Sequence, residues 1–112
     1  MFLRNAWYVA AWDHEVSADA LLGRMLLDEP LVLYRQRNGR VTALEDRCCH
    51  RHYPLHKGTL MQDCIQCRYH GFTYDATGRC VRIPGQSSVP GGVGVRSYPV
   101  VEIGRASCRE RV

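Results

Sequence analysis

A chain of 112 residues with 46% apolar and 23% charged side chains has the balance of one small globular domain. No apolar run approaches the length of a membrane-crossing helix. The opening Met1–Trp7 also lacks the apolar stretch and small-residue cleavage site of a secretion signal, so the expected compartment is the cytoplasm. The net charge of +4 is weak ground for nucleic-acid binding, since setting aside the three arginines and one glutamate of residues 103–112 leaves +2.

In chain order, Asn5–Trp12 is aromatic and β-branched enough for a strand. Asp13–Leu22 has room for one helical turn with a poor signal. Strands are expected over Arg24–Asp28 and Leu31–Arg35, with Glu29-Pro30 as a break between them. Asn38-Gly39 is a hairpin signal joining Leu31–Arg35 to Val41–Leu44. Leu60-Met61 and Cys64–Cys67 read as a second strand pair. Phe72–Tyr74 and Cys80–Ile83, around Asp75–Gly78, read as a third. Two prolines and four glycines make Pro84–Gly94 a loop, and Val95–Val101 is expected to close the domain as a strand. Short strands with few helix signals argue for an all-β fold.

Six cysteines in a chain with no visible secretion signal point to metal binding in a reducing compartment rather than to a disulfide scaffold. The chemistry concentrates in Cys48-x-His50 and Cys67-x-x-His70, two Cys–His pairs separated by sixteen residues. That order suits one centre with two unlike irons: in a Rieske [2Fe–2S] cluster one iron takes two thiolates and the other two imidazoles. The same four side chains also satisfy the rules of a tetrahedral zinc site, and Cys64-Ile-Gln-Cys67 forms a C-x-x-C, so spacing alone leaves zinc open. The longer stretches Cys48-Cys-His-Arg51 and Gln66-Cys-Arg-Tyr-His-Gly-Phe-Thr-Tyr74 resemble the two cluster-binding loops of Rieske proteins.

This resemblance implies a Rieske-type antiparallel β fold with a small cluster-binding subdomain, its ligand loops projecting from the tips of a small sheet. It implies Cys48 and Cys67 as thiolate ligands of one iron, and His50 and His70 as imidazole ligands of the other. Neutral imidazoles donate less charge than thiolates, which places such clusters at roughly −150 to +300 mV. Respiratory Rieske proteins carry an extra disulfide across the loops, where this chain has Tyr53 and Tyr69. They also carry a serine where Phe72 stands, and phenylalanine cannot donate a hydrogen bond to cluster sulfur. The expected midpoint is therefore low in that range. Cys49, Cys64 and Cys80 are expected as non-ligands, and His52 and His56 as surface polar residues. His14 is given no role. Gly58 and Gly71 are expected where the backbone needs positive φ or a close approach.

The segments Phe2–Ala10, Gly23–Leu27, Leu31–Arg35, Ala43–Asp46, Ile83–Gln86 and Ser97–Glu102 resemble the N-terminal part of vanillate O-demethylase-type subunits of Rieske non-haem iron oxygenases. The resemblance makes residues 1–102 the electron-transfer domain of an enzyme that hydroxylates or O-demethylates aromatic compounds. Electrons would come from a reductase or ferredoxin partner. They would pass to a mononuclear Fe(II), held by two histidines and a carboxylate in a C-terminal domain outside this sequence. No catalytic residue is expected within the fragment, which alone should not oxidise substrate. The parent is expected to be a homo-oligomer, commonly a trimer, with neither membrane nor nucleic acid as partner. Residues 103–112 break the pattern and match a translation of a common sequencing adapter, so they are expected to be a non-native tail without functional weight, Cys108 included. The alternative is a free-standing Rieske ferredoxin, an electron carrier of about this size.

Overall fold

A computed structural model describes residues 7–17, 19–26, 28–49, 53–68, 71–89, 91–103 and 107–111, and their regular structure is almost entirely β. The strands in order are β1 (Trp7–Ala11), β2 (Leu22–Leu26), β3 (Glu29–Arg35), β4 (Val41–Glu45), β5 (Thr59–Met61), β6 (Cys64–Gln66), β7 (Thr73–Tyr74), β8 (Cys80–Arg82), β9 (Ser97–Tyr98), β10 (Val100–Ile103) and β11 (Ser107–Arg111). Short 3₁₀ turns form at Asp13–Glu15 and Leu55–Lys57. The strands make three antiparallel sheets, ordered β1-β11-β10, β2-β3-β4-β9 and β5-β6-β7-β8. Among the described residues no helix is long and apolar enough to cross a membrane.

Strand β3 explains how these sheets assemble. Leu31, Val32, Leu33 and Tyr34 are all fully buried, an apolar run with no solvent face. Side chains alternate along a strand, so the run serves two cores. Leu31 and Leu33 pack with Ala11, Val16, Ala43 and Tyr98. Val32 and Tyr34 pack with Leu44, Leu55, Ile65 and Tyr74, the core shared with the small β5–β8 sheet. Each such aliphatic side chain stabilises the fold by roughly 1.5–3 kcal/mol relative to exposure. Tyr34 adds a polar tie, since its hydroxyl donates to the Asp63 carbonyl at 2.8 Å in the β5–β6 turn. In that turn Gln62 and Asp63 both have positive φ, and the Asp63 carboxylate accepts the Arg37 N–H at 2.8 Å.

The Asn38-Gly39 hairpin forms as expected, with Gly39 at φ 91° and Arg35 facing Val41. Two expectations shift. Glu29-Pro30 is not a break: Asp28 makes the turn at φ 62°, and Pro30 sits second in β3 opposite Met25. Pro30 lacks a donor, but its carbonyl still serves the far side of the strand, accepting the Asp46 N–H at 3.0 Å. The Val95–Val101 strand divides at Pro99, with Ser97–Tyr98 on the β4 edge and Val100–Ile103 in the β1-β11-β10 sheet. Ser107–Arg111, within the segment expected to be foreign, lies between β1 and β10 and pairs with both.

Candidate metal centre

Cys48 follows β4 by way of Asp46-Arg47, and Cys67 follows β6 directly. Each opens a loop closed by its own backbone. The Cys48 N–H donates to the Tyr53 carbonyl at 2.8 Å, and the Cys67 N–H donates to the Phe72 carbonyl at 2.7 Å. The two closures span the same sequence separation. The Gly71 N–H returns to the Cys67 carbonyl at 3.0 Å and tightens the second loop further. Only the second loop belongs wholly to the small sheet, between β6 and β7. The first leaves the β2-β3-β4-β9 sheet and runs into the Leu55–Lys57 turn before β5.

Both cysteines are buried, Cys48 2% and Cys67 1% exposed, and both belong to the core of Leu55, Ile65 and Tyr74. His50 and His70 lie outside the described residues, as do Arg51, His52 and Tyr69. Among the described residues Cys48, Cys49, Cys64, Cys67 and Cys80 are all free of disulfides. Cys64, at the start of β6, has its thiol pushed up by burial, then by Asp75 and Asp63. Burial likewise raises Cys80, which is fully enclosed. At both positions burial disfavours the thiolate, the opposite of the lowered thiol that a reactive C-x-x-C needs. Two buried sulfurs at the heads of matched loops, each loop with a histidine two or three positions on, form a donor set that fits an iron–sulfur cluster with mixed ligation.

Tyr74 is the residue that sequence reasoning missed. It is fully buried on β7, and its Oη lies 3.1 Å from Cys48 Sγ and 3.1 Å from Cys49 Sγ, while accepting the Cys49 N–H at 3.0 Å. Burial first, and then both thiols, push its hydroxyl far up, so it keeps its proton and remains a donor. The available signal was a tyrosine two positions after Phe72 on a strand, where period-two alternation turns it inward.

The support beneath the first loop is a buried carboxylate. Asp46, 5% exposed, accepts the His56 N–H at 2.6 Å through Oδ1, and its Oδ2 hydrogen-bonds His56 Nδ1. The ring of His56 covers Gly23, where an added Cβ would sit 2.8 Å from His56 Cγ. His56, expected as a surface polar residue, thus anchors the Leu55–Lys57 turn to the end of β4. Alanine at Asp46 is expected to cost about 1–3 kcal/mol by leaving that N–H without its acceptor, a loss that denaturant melting of the two proteins measures.

Both glycines marked in the sequence have the constraint expected of them, by different routes. Gly71 has φ 76°, and a Cβ there would meet Pro84 Cγ at 2.9 Å. Gly58 has an ordinary φ of −85°, but its Cβ would lie 2.2 Å from the Gln66 carbonyl oxygen. The first is a left-handed position; the second is a close approach between the segments that follow one loop and precede the other.

An all-antiparallel domain with two cysteine-headed loops over a shared core suits a metal-binding module. Residues 6–99 match the family model of the Rieske [2Fe-2S] domain, and the chain belongs to that family. Its cofactor class is therefore an iron–sulfur cluster. The chain is 55% identical over 105 residues to the iron–sulfur subunit of the toluene-4-sulfonate monooxygenase system of Comamonas testosteroni, covering 94% of this chain and 30% of that protein. It is 43% identical to the vanillate O-demethylase oxygenase subunit of a Pseudomonas species, over 91% of this chain and 28% of that protein. The crystal structure of dicamba monooxygenase bound to dicamba superposes with a TM-score of 0.89 at 48% identity, over 97% of this chain and 32% of that one. The chain thus spans about 30% of the length of the relatives it matches, which are oxygenase components, and corresponds to their Rieske part.

Proposed function

We propose that residues 1–102 are the electron-relay domain of a Rieske non-haem iron oxygenase. Cys48 and Cys67 are the thiolate ligands of one iron of a [2Fe–2S] cluster, and His50 and His70 are the imidazole ligands of the other. The observation that carries this reading is the pair of buried cysteines, each at the head of a backbone-closed loop on one core. When bound, such a cluster supplies a store for one electron at a time. The chain's own residues do the rest. The Cys48 and Cys67 loop closures hold the sulfurs in place. Leu55, Ile65 and Tyr74 exclude water from their inner side. Phe72 contributes no hydrogen bond through its side chain, which favours a low midpoint, while Tyr74 offers a hydroxyl to Cys48 and raises it.

Tyr74→Phe is expected to lower the midpoint potential of the loaded chain. If the hydroxyl favours the reduced state by about 1 kcal/mol, the drop is about 40 mV for one electron, read by potentiometric titration. The midpoint of the unaltered chain is expected below about +100 mV, in the lower part of the Rieske range.

The intact enzyme takes electrons from a reductase or ferredoxin in the cytoplasm. It delivers them to a mononuclear Fe(II) site in a C-terminal domain, which oxidises a small aromatic compound. Exposed Arg68 and Lys57 beside the loops suit an acidic donor surface. Its subunits assemble as a homo-oligomer, as a trimer in the commonest arrangement of the family. Residues 103–112 are adapter-encoded; a foreign segment can still pair as a strand because ladder bonds use only backbone groups. Reconstitution with iron and sulfide tests the cluster: a red-brown chain with a reduced-state EPR signal supports it, and a colourless zinc protein refutes it. Sequencing the source gene past Glu102 tests the rest. A reading frame running on into a two-histidine, one-carboxylate domain supports the oxygenase. A stop codon near Val112, after genuinely encoded tail residues, makes the chain a small electron carrier.

A further inference from the structure

The Tyr74 hydroxyl has two sulfur neighbours at the same distance, Cys48 Sγ and Cys49 Sγ, each 3.1 Å away. One hydroxyl has one proton to donate, so the two sulfurs compete for it. We propose that Cys49 is a tuning residue for the cluster, its thiol sulfur drawing part of the Tyr74 hydroxyl bond away from the ligand Cys48 and holding the reduction potential down. The inference rests on the assignment of Cys48 as a ligand.

Cys48 and Tyr74 can donate either way when Cys48 is a thiol. As an iron-bound thiolate Cys48 has no proton, and only Tyr74 can donate in that contact. A bond to the thiolate stabilises the negative charge that arrives on reduction. The geometry of the second contact has Tyr74 donating to Cys49 Sγ. A neutral thiol accepts more weakly than a thiolate, so Cys49 holds the smaller share of the proton and its effect is modest. Tyr74 does not depend on the Cys49 side chain for its position. The Cys49 backbone N–H donates to Tyr74 Oη at 3.0 Å, and the ring is held in the core. Cys49 itself is exposed, so truncating it removes the competing sulfur and leaves the donor where it is.

The test is an anaerobic dithionite titration of the cluster-loaded full chain, followed by the EPR signal of the reduced state. The proteins are the unaltered chain, Cys49→Ala, Cys49→Val, Tyr74→Phe and the Tyr74→Phe/Cys49→Ala double variant. Removing the Cys49 sulfur is expected to favour reduction about threefold, an upward shift of about 28 mV at about 59 mV per tenfold for one electron. In the Tyr74→Phe background the same change is expected to do nothing, because no hydroxyl is left to share. An unchanged or lowered midpoint in both Cys49 variants overturns the proposal. An equal shift with and without Tyr74 also overturns it. If neither Cys49 variant takes up a cluster, Cys49 serves assembly and the tuning role falls. Failure of the ligand assignment would look different, since the unaltered chain would then give no Rieske-type signal.

Discussion

Serine at Cys67 is expected to give a colourless chain that melts far below the cluster-loaded form. Cys67 is 1% exposed and heads a loop closed by its own N–H on the Phe72 carbonyl, so a hydroxyl there cannot turn outward to find another role. Hard alkoxide oxygen is a poor substitute for thiolate toward iron–sulfide, and the remaining ligands are too few to hold the cluster. The thermal consequence follows from linkage. A group bound to the native state at a thousandfold above its Kd contributes about 4 kcal/mol, which in a domain of this size is about 15–30 °C of melting temperature. The controls sharpen the test. Cys64→Ser and Cys80→Ser are expected to keep colour and EPR signal, since Cys64 lies in β6 and Cys80 in β8 and neither belongs to the proposed ligand set. Loss of colour in Cys64→Ser would restore the C-x-x-C reading and overturn the proposed ligand set. Absorbance and calorimetry on the four proteins decide it.

What could be read before the structure was known follows chemical rules that act locally. Asn38-Gly39 announced its hairpin because one residue there must take a left-handed conformation, and glycine does so freely. The Cys–His spacing suggested a ligand set because metal ligation constrains residue type and spacing together, and of that set the structure describes Cys48 and Cys67, both buried on one core. The misplacements at Pro30 and at Val95–Val101 have tertiary causes. Pro30 is tolerated inside β3 because its carbonyl is the group the sheet needs, which its sequence context does not reveal. Pro99 hands the chain from one sheet to another, a choice set by which edges are free.

The parts of the site that escaped sequence reasoning are those in which distant residues meet. Asp46 and His56 each look like an ordinary surface polar residue, yet the end of β4 and the turn after the first loop pair the buried Asp46 carboxylate with the half-buried His56. Tyr74 ends the loop stretch Gln66–Tyr74 and falls in an expected hairpin strand, neither of which places it against a ligand. Its relation to Cys48 depends on β7 lying beside β6, with Tyr74 facing Ile65, under the first loop. The same packing sets the heads of both loops on one core although they start from different sheets. Val32, Tyr34 and Leu44 of the larger sheet share a core with both cysteines, so the larger sheet is the platform against which the small one is set.

Gly58→Ala is expected to be the most damaging single methyl group that can be added near the centre. Its Cβ would lie 2.2 Å from the Gln66 carbonyl oxygen and 3.1 Å from the Leu55 carbonyl oxygen. Both obstacles are backbone, and the nearer one belongs to the residue just before Cys67. Relief requires a separation of roughly an ångström or more, and close-packed interiors do not yield that cheaply, so the cost is about 3 kcal/mol or more. The backbone must move in one of two ways. If β5 shifts from β6, the Thr59–Gln66 pairing opens and the second loop loses its support. If the Leu55–Lys57 turn shifts instead, the Gly58 N–H bond to the Leu55 carbonyl at 2.9 Å and the Asp46–His56 anchor are disturbed, and the first loop moves. Either way Cys48 and Cys67 change their relative position, so cluster yield on reconstitution is expected to fall at least as steeply as stability. Glycine-to-alanine at exposed Gly91, where an added Cβ meets nothing within 4 Å, is the matched control and is expected to leave both unchanged. An alanine variant of Gly58 with full cluster occupancy and an unaltered melting curve would show that the two loops are not held at this contact.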